Sequence, residues 1–168
     1  MRVEDSQRYI GVPNGVVFCV DHVIDRQPTG RFYQAYSRMA TEIAGMDELI
    51  FKMEQFFDSI QFPYPSTETR TFVGSRRESL TNQERTKMMS DEELLSKHGD
   101  LGTFIIRVQH RQNSSWQGRI TWSERNKTVY FRSIWEMIRL IADALDRVGG
   151  KEGEITVPNW PEEDDDIR

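Results

Sequence analysis

The sequence predicts an α+β fold: tandem duplicated β-β-β-α units, each an antiparallel sheet backed by a helix, joined by an irregular helical connector. Three observations carry this expectation. Residues 15–60 and 102–148 run through the same order of strand-like segments followed by an amphipathic helix. The two blocks align without a gap at an offset of 88 residues, with Val20 on Val108, His22 on His110, Gly30 on Gly118, Arg31 on Arg119, Glu48 on Glu136, Ile50 on Ile138 and Asp58 on Asp146. Between them lies a proline-bearing stretch with no sustained periodicity. The organisation that follows is a first repeat at 1–60, a connector at 61–101, a second repeat at 102–150 and an acidic tail at 151–168. Units of this size bury too little surface to stand alone, so the two are expected to pack as one pseudo-symmetric body.

The first block opens with GVVFCVDHVID, a Val-rich strand. RQPTGR reads as a turn, GRFYQAYS as a second strand and RMATEI as a short third. MDELIFKMEQFFDSI is the helix: Leu49, Ile50, Met53, Phe56, Phe57 and Ile60 recur at steps of three and four. FPYPS cannot continue it, because proline removes a backbone donor and clashes with the preceding turn. In the connector, Thr81 with Glu84 and Ser90 with Glu93 have capping-box spacing and predict two short helical turns.

The second block reads as strand TFIIRVQHR, turn NSSWQG, strand GRITWSE, tight turn RNK and strand TVYFR. Its helix is SIWEMIRLIADALDRV, capped by Ser133 with Glu136 and stopped by Gly149-Gly150. The tail VPNWPEEDDDIR is acidic and reads as disordered apart from Trp160.

Strand alternation sorts the faces. Phe104, Ile106, Val108 and His110 share one face with Trp116, Ile120, Trp122, Val129 and Phe131, and this set packs on the helix through Ile134, Met137, Ile138, Ile141 and Leu145. The two tryptophans are thus core anchors. The first strand differs: Val16, Phe18 and Val20 lie on one face and Val17, Cys19 and Val23 on the other, so it belongs at the centre of a sheet covered on both sides. Asp21 interrupts it and needs a partner if buried.

The strings TFIIRVQHRQNSSWQGRITW and VYFRSIWEMIRLI, together with GRFYQAYS and MDELIFKMEQFFDSIQFP, resemble a set of small bacterial proteins of Firmicutes type that share WQG and FRS strings. The resemblance spans about two thirds of the chain. It implies a bacterial, cytosolic origin and, since that family has no settled activity, no mechanism and no functional residue.

The chain has 168 residues and a net charge of -5, which disfavours non-specific binding to nucleic acid or anionic membranes by the molecule as a whole. One cysteine, Cys19, excludes an intrachain disulfide and reads as a buried thiol. MRVEDSQRYIG lacks a signal peptide's apolar stretch, and no apolar run nears the ~20 residues of a membrane span. These features predict a cytoplasmic protein with no membrane partner.

No catalytic or metal motif stands out: there is no Walker loop, no G-x-G-x-x-G, no G-x-S-x-G and no paired metal-ligand spacing. His22 and His110 occupy matching positions read as inward and structural; His98 stands apart. Asp21, His22 and Asp25 form an acid-base cluster only on paper, because alternation sends Asp21 and His22 to opposite faces. Glu48 and Glu136 suit helix first turns. Arg76-Arg77 fits an exposed anionic contact or a modification site, with neither favoured, and the run Glu162–Asp166 reads as a solvated tail rather than a weak divalent-cation site. The expectation is a non-enzymatic chain without cofactor or metal.

The candidate surface is the remaining face of the second repeat. Arg107, Gln109, Arg111, Gln117, Arg119, Tyr130 and Arg132 share it, and residues 100–148 carry eight Lys or Arg against five Asp or Glu. Arginine forks grip carboxylates and phosphates. Two uses stand: a protein-interaction or regulatory module binding a protein partner, which includes a second copy of the chain, or a nucleic-acid-binding sheet face. A plain solvated face is the bland alternative.

Overall fold

Val16, Val17, Phe18, Cys19 and Val20 are all fully buried although successive side chains leave a strand on opposite faces. A strand of that kind must sit inside a sheet covered on both sides, and it does. The computed structural model describes residues 10–67, 70–73 and 86–148. Its strands are β1 (Val16–Ile24), β2 (Gln27–Gln34), β3 (Thr41–Ile43), β4 (Gly102–His110), β5 (Gln117–Trp122) and β6 (Lys127–Phe131), and its helices are α1 (Met46–Ile60), α2 (Asp91–Leu95) and α3 (Ile134–Val148). The strands form one antiparallel sheet in the order β3-β2-β1-β4-β5-β6. The fold is α+β, and the two meanders meet at β1 and β4.

The register repeats between the halves. Phe18 faces Phe32 as Ile106 faces Ile120; Gly30 faces Ile43 as Gly118 faces Phe131; each pair is shifted by 88 residues. At the centre Val17 pairs with Ile105, itself 88 residues away, so the relating twofold axis passes between them. The helices obey the same offset. Both lie on one face, where Val16, Phe18, Phe32, Phe104, Ile106, Ile120, Trp122 and Phe131 meet Leu49, Met53, Phe57, Met137, Ile141 and Ala144. Each of the larger aliphatic and phenylalanine side chains in this set contributes about 1.5–3 kcal/mol on burial.

The other face has its own smaller core: Val17, Cys19, Tyr33, Ala35 and Ile105 are covered by Ile10, Met89 and Leu94. The connector supplies two of the three covering residues. The N–H groups of Met88 and Met89 donate to Ala35 O at 2.7 and 3.0 Å, and Ser90 Oγ caps α2 by accepting from Glu93 N at 3.2 Å. Capping at Ser133 is also as expected, with Glu136 N donating to Ser133 Oγ at 3.1 Å. α1 has Gly45 at its N-cap without a side-chain cap, and the Glu48 carboxylate instead accepts from Ala44 N at 2.8 Å. The cap expected at Thr81 with Glu84, the pair Arg76-Arg77, the stop at Gly149-Gly150 and the acidic tail lie outside the described residues.

Both long hairpins depart from the expected turns. RQPTGR is not a loop. The turn is Asp25-Arg26, both at positive φ (50° and 64°), and β2 begins at Gln27. Pro28 fits because it lies beyond the last β2–β3 pair, at the sheet margin. The matching turn, Asn113-Ser114, has φ 54° at both residues. Two consecutive left-handed residues match the right-handed strand twist of a tight hairpin. β3 is shorter than RMATEI, retaining only its last three residues.

A bulge interrupts each half at the same place. Pairing steps from Val20↔Gly30 to His22↔Thr29 in one half, and from Val108↔Gly118 to His110↔Gln117 in the other. Asp21 and Gln109 are the extra residues. The opposing glycines are required by close backbone approach: a Cβ on Gly30 would sit 1.9 Å from Cys19 O, and one on Gly118 would sit 2.1 Å from Arg107 O. Neither carbonyl can retreat without breaking the ladder. Gly118→Ala is therefore expected to destabilise the fold by about 3 kcal/mol, the upper end for an overpacked site. A urea midpoint within error of the parent would contradict the close approach.

Candidate functional site

The bulges reverse side-chain alternation beyond them, and this redistributes the residues read as one arginine face. Plain alternation puts Arg111 with Arg107 and Gln109; it lies instead on the helix side. Its guanidinium is buried, the residue being 5 % exposed. Nη1 donates to Glu54 Oε2 and Asp58 Oδ1, both at 2.7 Å, and Nε donates to Pro63 O at 2.7 Å. The group packs over Phe57, 5.7 Å from the ring centroid. Beside it Trp116 is fully buried, edge-on to Phe57 at 5.4 Å, with its indole N–H donating to Glu54 Oε1 at 2.6 Å. One carboxylate of α1 thus holds both the arginine and the tryptophan of RQNSSWQG. This cluster joins the second half's hairpin to the first half's helix.

Arg107 is on the expected face but 1 % exposed. Its Nη2 donates to Thr121 Oγ1 at 2.8 Å, and that hydroxyl shares a 2.7 Å hydrogen bond with Thr128 Oγ1. Arg119 is half-buried and lies over the Tyr130 ring at 5.8 Å. Gln117 holds the hairpin: its Oε1 accepts from Gln112 N, and its Nε2 donates to Gln112 O and Arg132 O. Gln109 is exposed at the bulge. Tyr130 is 68 % exposed. The Arg132 side chain is 86 % exposed, with Nε donating to Glu136 at 2.7 Å across one helical turn.

The seven residues therefore do not form a single open row. Gln109, Tyr130 and Arg132 are exposed, and Arg119 and Gln117 are half-buried. The helix layer adds two residues that strand alternation alone did not single out. Trp135, in the first turn of α3, is 63 % exposed, and Arg139 stacks on it at 5.2 Å. The signal was present in the sequence: Trp135 falls off the apolar stripe set by Ile134, Met137, Ile138 and Ile141.

His22 and His110, read as inward, are both exposed, and the bulges are the reason. The first bulge also brings together what alternation had separated. Asp21 and His22 line one open cleft of about 590 Å³ with Arg31, Glu42, Glu48 and Asp100 around Gly30, Ile43 and Ala44. Asp25 stays apart in its turn. Asp21 has the partner it needs: Arg31 Nε donates to it at 3.1 Å, and Asp100 N donates to its Oδ1 at 3.1 Å. Burial alone would raise the Asp21 carboxyl, but these two hydrogen bonds and the Arg31 charge together hold it below the usual carboxylate range. Cys19 lies under the same strand pair, and burial pushes its thiol up to about 12. Among the described residues no group of three or more His, Cys, Asp or Glu is placed to hold a metal ion, and no helix is long and apolar enough to cross a membrane.

The class defined so far is a six-stranded antiparallel sheet with a helix pair on one face and two exposed arginine–aromatic pairs, Arg119–Tyr130 on the sheet and Arg139–Trp135 on α3. Comparison with protein-family models, curated proteins and solved structures finds no match to this chain.

Two expectations test this geometry. Arg111→Ala removes a buried guanidinium that links α1, Pro63 and the hairpin, and should cost about 2–3 kcal/mol in denaturant unfolding; a loss under about 0.5 kcal/mol, the scale of a surface substitution, would show that the network is not holding the halves. The Asp21 carboxyl is lower in the folded than in the unfolded chain, so between those two values the unfolded state binds more protons and stability rises with pH. That contribution is fully present above about 4, the unfolded value, and is lost as pH falls through the folded one. Asp21→Asn should flatten this part of the profile, measured as urea midpoints from neutral pH down into the acid range; an unchanged slope would contradict the pairing.

Proposed function

We propose that the chain is a non-enzymatic protein-interaction module, and that its contact surface is the patch around the end of β6 and the start of α3: Arg119, Tyr130, Arg132, Trp135 and Arg139, with Gln109 at the rim. One observation carries the reading. Two large aromatic side chains, Tyr130 and Trp135, stand out in solvent close together in the chain, and each carries a guanidinium over its ring. Trp, Tyr and Arg are the residue types that concentrate binding energy at protein interfaces. Stacking restrains them before contact, so less side-chain entropy is lost on binding. The guanidiniums favour a partner with an acidic surface.

The nucleic-acid reading draws less support, because Arg107 and Arg111, half of the arginine row on which it rests, are buried. An unpaired buried thiol suits a reducing compartment and supports a cytoplasmic location. The resemblance to small bacterial proteins supports a bacterial source and adds no activity.

The test is site-specific photocrosslinking in source cells. A photoreactive phenylalanine analogue replaces Tyr130 or Trp135, with Gln55, exposed on α1, as control. Protease-sensitive adducts at 130 and 135, absent at the control and lost when Arg132→Glu is added, are the expected result. Adducts destroyed by nuclease would move the assignment to nucleic acid, and no adduct at either position would sink the interaction reading.

A further inference from the structure

We infer that the patch has a specific acidic counterpart on a second copy of the same chain: the cleft beside the first bulge. This rests on the reading of the patch as a protein-contact surface. Cleft and patch occupy corresponding places on a shared framework. At the 88-residue offset, Asp21 corresponds to Gln109, Glu42 to Tyr130 and Ala44 to Arg132. The backbone around both bulges follows one register; Arg31 and Glu48 recur as Arg119 and Glu136, while Asp21 and Glu42 give way to neutral side chains and Ala44 to an arginine, so the net charge changes from acidic to basic.

The cleft holds four carboxylates, Asp21, Glu42, Glu48 and Asp100, against the single guanidinium of Arg31, which is already bonded to Asp21. Asp21 and Glu48 have internal donors, Arg31 and Ala44 N, whereas Glu42 and Asp100 stand exposed at the mouth. The patch offers Arg119, Arg132 and Arg139 against Glu136. The open cleft of about 590 Å³, lined also by Gly30 and Ile43, has room for an aromatic side chain of the Trp135 or Tyr130 size. The contact is heterologous: the patch of one copy meets the cleft of the next, so an open assembly leaves one patch unused at one end and one cleft unused at the other. Such contacts build chains, or rings where the rotation closes.

The experiment is sedimentation equilibrium on the full chain across protein concentration, at low and at moderate salt, with Arg132→Glu, Glu42→Lys and an equimolar mixture of the two. Both positions are exposed, and circular dichroism verifies that the variants fold. The parent is expected to rise above the monomer mass with concentration and to fall back with salt. Each reversal should weaken association by about tenfold or more. The mixture should recover it, because the reversed patch of one variant then meets the reversed cleft of the other, and the two unaltered surfaces still match. A parent that is monomeric under all conditions overturns the second-copy assignment and leaves the patch to the crosslinking result. Association that Arg132→Glu abolishes and Glu42→Lys does not would keep the patch and remove the cleft as its counterpart. Failure of the mixture to recover would remove the pairing of the two.

Discussion

Everything in this fold follows from the antiparallel pairing of β1 with β4. A three-stranded meander with one helix spans about 45 residues, too few to bury a core that offsets the entropy of ordering it. Pairing β1 with β4 gives each meander the other as its second neighbour. Because Val17 and Ile105 pair across the centre, the relating axis runs through the sheet, and both helices fall on the same face. The opposite face is then left with Val17, Cys19, Tyr33 and Ile105 to cover. That is the task of residues 86–95 and Ile10. The connector is therefore a structural layer, and its Met89 and Leu94 are core residues although nothing periodic announces them.

The elements were legible in the sequence, and so was their order, because amphipathic periodicity and turn chemistry are local signals. The helix limits at 46–60 and the start of α3 after Ser133 needed only the apolar spacing and a cap. A bulge is less visible. It adds one residue without changing the composition of the strand, yet everything beyond it changes face. This single displacement turned Arg111 inward, turned His22 and His110 outward, and put Asp21 beside His22. The clue was the pair Gly30 and Gly118, each alone inside a strand pattern and each at the same offset, where glycine marks close approach of another backbone.

Charge placement was the least legible feature, since it depends on partners distant in sequence. Arg111 meets Glu54 and Asp58 across 57 and 53 residues. An unpaired guanidinium at that depth would cost several kcal/mol, so it is tolerable only because one helix turn of α1 presents both carboxylates and Pro63 supplies a carbonyl. The carboxylates themselves remain partly hydrated, which lowers their desolvation cost. Glu54 also accepts from Trp116, so the heaviest side chain in the hairpin is oriented by the same group that neutralises the arginine.

The halves share a backbone but not a chemistry, and the difference begins at the bulged residue. In the first half that residue is Asp21, and the arginine across the sheet, Arg31, turns to it. In the second it is Gln109, which offers no charge, and the equivalent Arg119 lies on Tyr130 instead. Two differences, Gln109 in place of Asp21 and Tyr130 in place of Glu42, thus accompany the change from an arginine ion-paired at the bulge to one stacked on an exposed ring. Such freedom belongs to side chains that leave the backbone pairing untouched. Gly30, Gly118 and the apolar pairs, by contrast, are held alike in both halves by backbone approach and packing.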